Sequence, residues 1–297
     1  MFRTVYARNP AFDPKDLDVI TDRNNLRKLL KVVCRESFDT YRIDVELVGN
    51  TLLLTRWERD TEEQIREFRG FGHEFEKTFT AHDNRGPGRK PTGHHRVVQY
   101  NFGGLNMLVR FETDAYHRNL GVPSTSSTNI DGLTSAFKSI KLEPDAEPRT
   151  LKTDNISLPS KSISNLRVIQ DGIDVPHGSL IEIKTRSKHK RIVMKDVVPQ
   201  LFFAQIPYLI VGYHVRGLFQ SVETKNVKED GDLDAFEREY TNELKKVVKF
   251  LRVVRKEIAK LKDKRGSVLS ERGSFLLYER VSPVTRSLPE DLLEKWS

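Results

Sequence analysis

The sequence predicts an α+β fold, a mixed β-sheet flanked by helices. Three observations lead there. Tyr41 to Leu47 alternates polar and apolar residues, turns at Gly49-Asn50 and returns as Thr51 to Trp57, which is a hairpin pattern. Within residues 233–263, Phe236, Tyr240, Leu244, Val247, Leu251, Val254, Ile258 and Leu261 recur at spacings of three and four, the period of an amphipathic helix. Elsewhere strands and helices mix without regular βαβ alternation, so the sheet is mixed rather than doubly wound.

The elements follow in order. Residues 1–18 are polar and contain proline, and read as an irregular arm. Residues 19–34 read as a helix with Leu26, Leu29, Leu30 and Val33 on one side. After the hairpin, residues 61–80 form a second helix whose stripe is Ile65, Phe68, Phe75 and Phe79, weakened by Gly70 and Gly72. Residues 83–93 are a loop, and His95–Tyr100 pairs with Asn106–Tyr116 around Gly103-Gly104. From 118 to 163 no period persists among Ser, Thr, Asn and Pro, and a disordered insertion is expected. Order returns at Leu166–Ile169 and in the strand Leu180–Thr185, then a helix over 196–206 and strands at Tyr208–Tyr213 and Leu218–Val222. The helix over 233–263 packs on the sheet and turns Lys245, Lys249, Arg252, Lys256 and Lys260 outward. A strand at Phe275–Val281 and a short helix over 289–296 close the chain, and with no internal repeat residues 1–297 read as a single domain.

Composition narrows the partners. Fifty Lys and Arg against 42 Asp and Glu give a net charge of +8, and such a surface favours polyanions. Cys34 is the lone cysteine, so no internal disulfide forms, and a reducing compartment, nucleus or cytoplasm, is expected. No stretch approaches the length of a membrane span, and Met1-Phe2-Arg3 does not open a secretion signal. A soluble, non-secreted protein without a membrane partner is the expectation.

Two short stretches carry the chemistry. In Phe111-Glu112-Thr113-Asp114-Ala115, strand alternation puts Glu112 and Asp114 on one face; in Leu180-Ile181-Glu182-Ile183-Lys184-Thr185, it does the same for Glu182 and Lys184. If the two strands are neighbours, three carboxylates and an ammonium converge, a grouping that a divalent cation would hold together. Hard ions such as Mg²⁺ or Mn²⁺ prefer carboxylate oxygens, bridge a scissile phosphate and acidify bound water. Asp114 and Glu182 are the leading ligand candidates, and Lys184 would orient or deprotonate that water. The order Asp…Glu-x-Lys is the signature of a PD-(D/E)xK nuclease-like core, although Glu-x-Lys alone is common by chance. The basic residues Arg186, Lys188, Lys190 and Arg191 follow directly and suit contact with a phosphate backbone.

These motifs, taken with others, resemble the DXO family of RNA 5′-end decapping nucleases. Gly72-His73-Glu74-Phe75-Glu76 is similar to its G-aromatic-x-F-E motif, Glu112-Thr113-Asp114 to its E-x-D motif, and Glu182-Ile183-Lys184-Thr185 to its E-hydrophobic-K-T motif. Ala204-Gln205 with Ile210-Val211-Gly212-Tyr213 resembles the helix-to-strand segment, and Arg23 with Lys28-Leu29-Leu30 an upstream motif. The likeness spans residues 19–222, outside the insertion. It implies that Glu76, Glu112, Asp114 and Glu182, with Ile183 between the motif's Glu and Lys, surround one or two Mg²⁺ or Mn²⁺ ions. It also implies that Lys184 and Gln205 position water and phosphate, and that Arg23 meets the RNA 5′ end. The implied substrates are RNAs with a 5′ triphosphate or an aberrant cap, sometimes degraded 5′ to 3′. Asp22 and Asn24 replace the family's Trp and Gly around Arg23, and the gap between the acidic motifs is longer than the family's. The chain is similar to a divergent, fungal-type branch sometimes labelled geranylgeranyl pyrophosphate synthetase; no Asp-Asp pair occurs here, as prenyl synthases require. Two alternatives stay open: an inactive relative that binds RNA or stabilises a partner exonuclease, and a nuclease directed at DNA.

Overall fold

The computed structural model describes residues 1–58, 70–81, 93–118, 140–141, 168, 173–280 and 286–296. Its strands form two sheets. The larger contains β1 (Val19–Asp22), β2 (Tyr41–Val48), β3 (Thr51–Trp57), β4 (His95–Phe102) and β5 (Leu105–Glu112). The smaller contains β6 (Ala115–Tyr116), β7 (Ile140–Lys141), β8 (Leu180–Ser187), β9 (Tyr208–Val215) and β10 (Leu218–Asn226). The last strands, β11 (Arg265–Glu271) and β12 (Ser274–Glu279), return to the larger sheet. The strand orders are β12-β11-β2-β3-β1-β5-β4 and β6-β8-β9-β10-β7. Both sheets are mixed: β1 runs parallel to β3 and β5, and β8 parallel to β9, while the remaining pairs are antiparallel. The helices are α1 (Phe2–Arg8), α2 (Arg23–Val33), α3 (Gly72–Phe79), α4 (Met194–Ala204), α5 (Asp232–Glu239), α6 (Thr241–Lys260) and α7 (Glu290–Leu293). The fold is therefore α+β, as the sequence predicts.

Several elements differ from expectation, each for a physical reason. Residues 19–34 are not one helix. Val19, Ile20 and Thr21 are all buried in β1, because a central strand covered on both faces shows no alternation and hides within an apolar run. The helix begins only at Arg23, where the Asp22 carboxylate accepts a hydrogen bond from the Asn25 N–H at 2.8 Å and caps it. The expected arm over 1–18 contains α1, anchored by Phe2 edge-on to Trp296 with ring centroids 5.3 Å apart. The expected helix over 233–263 is divided at Tyr240, whose backbone (φ −99, ψ 16) leaves helical geometry between α5 and α6. Arg265–Glu271 is a strand that Gly266 and four polar residues conceal from periodicity. Residues 61–69 of the second helix and most of 118–163 lie outside the described residues, although 140–141 pair with β10 as an edge strand.

Four packed clusters fix the layers. On one face of the larger sheet, Met107 and Val109 of β5 meet Leu26 and Leu29 of α2 and Val247 and Leu251 of α6. On the other face, Ile20, Leu53 and Leu108 are covered by Phe2, Leu288, Leu292 and Trp296. Within the smaller sheet, Leu209 and Val211 face Val197 and Leu201 of α4, while Ile181, Ile183 and Ile210 face Phe75 of α3. Gly212 sits under that last contact: a Cβ there would lie 2.6 Å from the Phe75 ring and 2.9 Å from the Phe219 ring.

The connection between the sheets positions the site. The chain leaves the larger sheet at Glu112 and enters the smaller at Ala115, so the expected single strand over 106–116 is two strands in two sheets. Only Thr113 and Asp114 span the gap, and the Thr113 N–H is held by the His94 carbonyl at 2.9 Å. β6 pairs antiparallel with β8, Ala115 opposite Ile181 and Tyr116 opposite Leu180. One step further along that register, Asp114 falls across from Glu182.

Candidate active site

Asp114 and Glu182 meet at the seam between the sheets. The Asp114 carboxylate accepts a hydrogen bond from the Ile183 N–H at 2.7 Å, so it lies against the backbone of the residue following Glu182. Glu182 is 1% exposed. A buried carboxylate needs counter-charge or donors, and three residues supply them. The Arg23 guanidinium stands 3.0 Å from Oε2, while the Lys184 ammonium and the Gln200 amide both donate to Oε1. Each donor has a structural origin. Lys184 is two residues along β8 and so on the same face; Arg23 opens α2 immediately after the Asp22 cap; Gln200 projects from α4, which packs over that face of the smaller sheet.

Burial and like charge raise two of the acids. The Asp114 carboxyl is pushed up to about 7, first by desolvation and then by the Glu182 charge, with Lys184 and the Ile183 N–H opposing. Glu76, half-buried on α3, is also raised by burial, and Glu182 and Glu112 add to the shift while His73 and Lys184 oppose it. Asp114 therefore feels the charges of Glu182 and Glu76, and Glu76 those of Glu182 and Glu112. Glu112 is the most open of them. It ends β5 opposite His95 and lines a cavity of about 570 Å³ together with Arg23, Asn24, Arg56, His95 and Arg110.

The arrangement differs from a bare cluster of acids. Among the described residues, no group of three or more His, Cys, Asp or Glu side chains stands close enough to hold a metal ion as it is. Glu182 is instead held by an ammonium, a guanidinium and a side-chain amide, and Asp114 by a peptide N–H. As a donor set the carboxylates suit a hard divalent cation, being oxygen ligands of like charge, two of them at a partly buried seam. Ile183 contributes its peptide alone, because its side chain is packed with Phe75 and Phe219.

One expected residue is replaced. Gln205 is the C-cap of α4, in a left-handed conformation (φ 54), and its amide donates to the Phe202 carbonyl at 2.7 Å while its own carbonyl faces His177 Nε2 at 2.9 Å. It does not touch the carboxylates; Gln200, more than one turn earlier, does. The signal available in the sequence was helical phase, since Gln200 is polar yet lies between buried Val198 and Leu201. The basic residues occupy the exit from β8. Arg186 continues the Glu182–Lys184 face, Lys188 donates to Gln220 at 2.7 Å, and Lys188, Lys190 and Arg191 are exposed.

Comparison with known proteins adds the following. A family model described as a domain of unknown function, DUF8563, matches residues 1–292. No curated protein matches the chain. Among solved structures, Schizosaccharomyces pombe Rai1 aligns at TM-score 0.55 and 11% identity over 94% of this chain and 76% of that one. Candida albicans Rai1 in complex with pU5-Mn²⁺ aligns at TM-score 0.52 and 14% identity over 94% and 74%. K. lactis Dxo1 in complex with manganese aligns at TM-score 0.52 and 9% identity over 96% and 72%.

Proposed function

This chain belongs to the DUF8563 family and has the fold of Rai1 and Dxo1, and from that premise we propose that it is a metal-dependent hydrolase acting on RNA 5′ ends. The observation that carries the reading is the placement of Asp114 across from Glu182, with Lys184 on the same strand face and Gln200 closing over it. Asp114 and Glu182 would hold a Mg²⁺ or Mn²⁺ ion, with Glu76 and Glu112 beside them; such an ion bridges a phosphate and lowers the pKa of water. That Candida albicans Rai1 is seen with pU5-Mn²⁺ supports both the substrate class and the metal class.

The protein's own residues divide the remaining work. Arg23, which lines the cavity and pairs with Glu182, binds the terminal phosphates. Arg186, Lys188, Lys190 and Arg191 neutralise the following phosphates without reading bases. Lys184 hands its charge from Glu182 to the phosphoryl oxygens as negative charge develops there. Water adds to phosphorus, the P–O bond to the leaving phosphate or nucleotide breaks, and the leaving oxygen ends protonated. A 5′ triphosphate or an incompletely capped end is the substrate class. The test is incubation of pure protein with 5′-triphosphate, 5′-monophosphate and capped RNA, and with DNA, in Mn²⁺ or EDTA. Product should form from RNA in Mn²⁺ only, and should fall about 10³-fold or more in Asp114→Ala and Glu182→Ala. Product untouched by both substitutions would sink the assignment.

A second reading, an RNA-binding or exonuclease-stabilising relative without catalysis, has one observation in its favour. Both Glu182 oxygens are already engaged by Arg23, Lys184 and Gln200. Absence of product on every substrate, with RNA still bound, would select it.

A further inference from the structure

α6 carries a concentration of charge that the site does not use. Its twenty residues hold seven Lys and Arg against two Glu, five of the chain's net eight positive charges. Three of the cations are paired: Lys246 with Glu243, Arg255 with Asp18 and Lys260 with Glu257. The other four are Lys245, Lys249, Arg252 and Lys256. All four are exposed, and none has a carboxylate partner among the described residues. Arg252 is partly committed, donating to the Gly103 carbonyl at 2.8 Å.

Their spacing makes them a stripe. At 3.6 residues per turn, positions 245, 249, 252 and 256 fall within an arc of roughly 60° and cover about 16 Å of helix axis. Each lies three or four residues from the next, where like charges repel and destabilise a helix. An outer face evolved only for solubility relieves this by interleaving acids, as the 243–246 and 257–260 pairs do on the neighbouring faces. The stripe has none. The opposite face is fully committed to the core through Leu244, Val247, Leu251, Val254 and Ile258, so the helix is held rigid and the cations stay aligned. A rigid row of cations about 16 Å long matches roughly five successive phosphates of a nucleic-acid strand at helical rise.

We infer that the Lys245–Lys249–Arg252–Lys256 face of α6 is a second contact for the RNA backbone, separate from the basic residues beyond β8. The inference deepens the reading of the chain as an RNA 5′-end hydrolase, since it assigns where the body of the strand is held. The contact is electrostatic and blind to sequence.

The experiment measures binding of a 5′-hydroxyl oligouridylate 20-mer in EDTA, so neither cleavage nor metal enters. Lys245→Ala, Lys249→Ala and Lys256→Ala are combined in the full chain; alanine is the best helix former, so α6 is retained, and circular dichroism checks it. Each lost single-strand phosphate contact lowers the slope of log K against log salt by about 0.7, so the triple variant should lose about two in slope and roughly a hundredfold in affinity at 0.1 M salt. Replacement of the same three residues by Arg should restore both. Hydrolysis of a 5′-triphosphate dinucleotide, which lacks the body of the strand, should be unchanged in the triple variant. Unchanged affinity and slope would overturn the inference, including the case where the variant instead loses binding to phosphatidylserine vesicles. The two readings fail separately: loss of binding in the triple variant stands even if no RNA is ever hydrolysed.

Discussion

At the scale of single residues, Glu182 concentrates the problem that the site solves. A carboxylate 1% exposed is tolerable only with donors on both oxygens, and Arg23, Lys184 and Gln200 provide them. Gln200 is 9% exposed and donates to Glu182, so on the proposed reading it is a positioning residue. Gln200→Ala should lower kcat by about tenfold and raise the Mn²⁺ concentration giving half-maximal rate by about as much, the usual cost of removing a group that orients a ligand. Gln205→Ala should leave the Mn²⁺ requirement alone and lower stability only, because its amide serves the end of α4. Equal Mn²⁺ shifts in the two variants would refute the distinction. Much at this scale was legible: Asp114, Glu182 and Lys184 fall together, and two short motifs mark them, while Arg23 was indicated by the family resemblance alone. Gln200 was not, since its role depends on how a helix lies over a sheet, which no local spacing encodes. The pairing of Arg23 with Glu182 was also hidden, being a contact across 159 residues of chain.

At the scale of elements, the hairpin β2–β3 was readable because polar and apolar residues alternate along β2 and Gly49-Asn50 marks the turn, although Asp44 and Glu46 are buried. The core stripe of α6 was readable because that helix has a wet face and a dry face. β1 was unreadable for the opposite reason: covered on both sides, it has no alternation to show. β11 was lost because it contains Gly266, Ser267 and Ser270, which read as loop. Element packing also makes a sharp prediction at Gly212, where β9 passes under α3. A methyl group there would stand 2.6 Å from Phe75 and 2.9 Å from Phe219, both fully buried rings. Gly212→Ala should therefore destabilise the fold by about 1–3 kcal/mol through overpacking. The double variant Gly212→Ala/Phe75→Leu should be less destabilised than the sum of its parts, as a shared contact requires. Strict additivity in denaturant titrations would show that the ring does not meet the methyl group. Because α3 carries Glu76 one residue past Phe75, the single variant should also perturb the site.

At the scale of the whole molecule, the two sheets are joined where the acids meet, so site ionisation and global stability are linked. Asp114 is held at about 7 in the folded protein, above the ordinary aspartate value of about 3.9 in an unfolded chain. The sign follows from proton uptake. Between pH 4 and pH 7 the folded state binds a proton that the unfolded state has released, so this residue makes stability fall as pH rises across that window and stay level above it. A shift of roughly three pH units has a ceiling on the order of 4 kcal/mol. Asp114→Asn should remove this slope and leave the metal-free protein more stable than the parent at pH 8, with little difference near pH 4. Mn²⁺ must reverse the parent's penalty, since it competes with the proton for the same carboxylate. Thermal melts with and without Mn²⁺ should show a rise in Tm at pH 8 that shrinks toward pH 5.5 in the parent, and only a weak rise at either pH in Asp114→Asn. A metal-induced rise of equal size at both pH values, or one preserved in Asp114→Asn, would mean that the ion binds elsewhere and that the seam between the sheets is a structural joint alone.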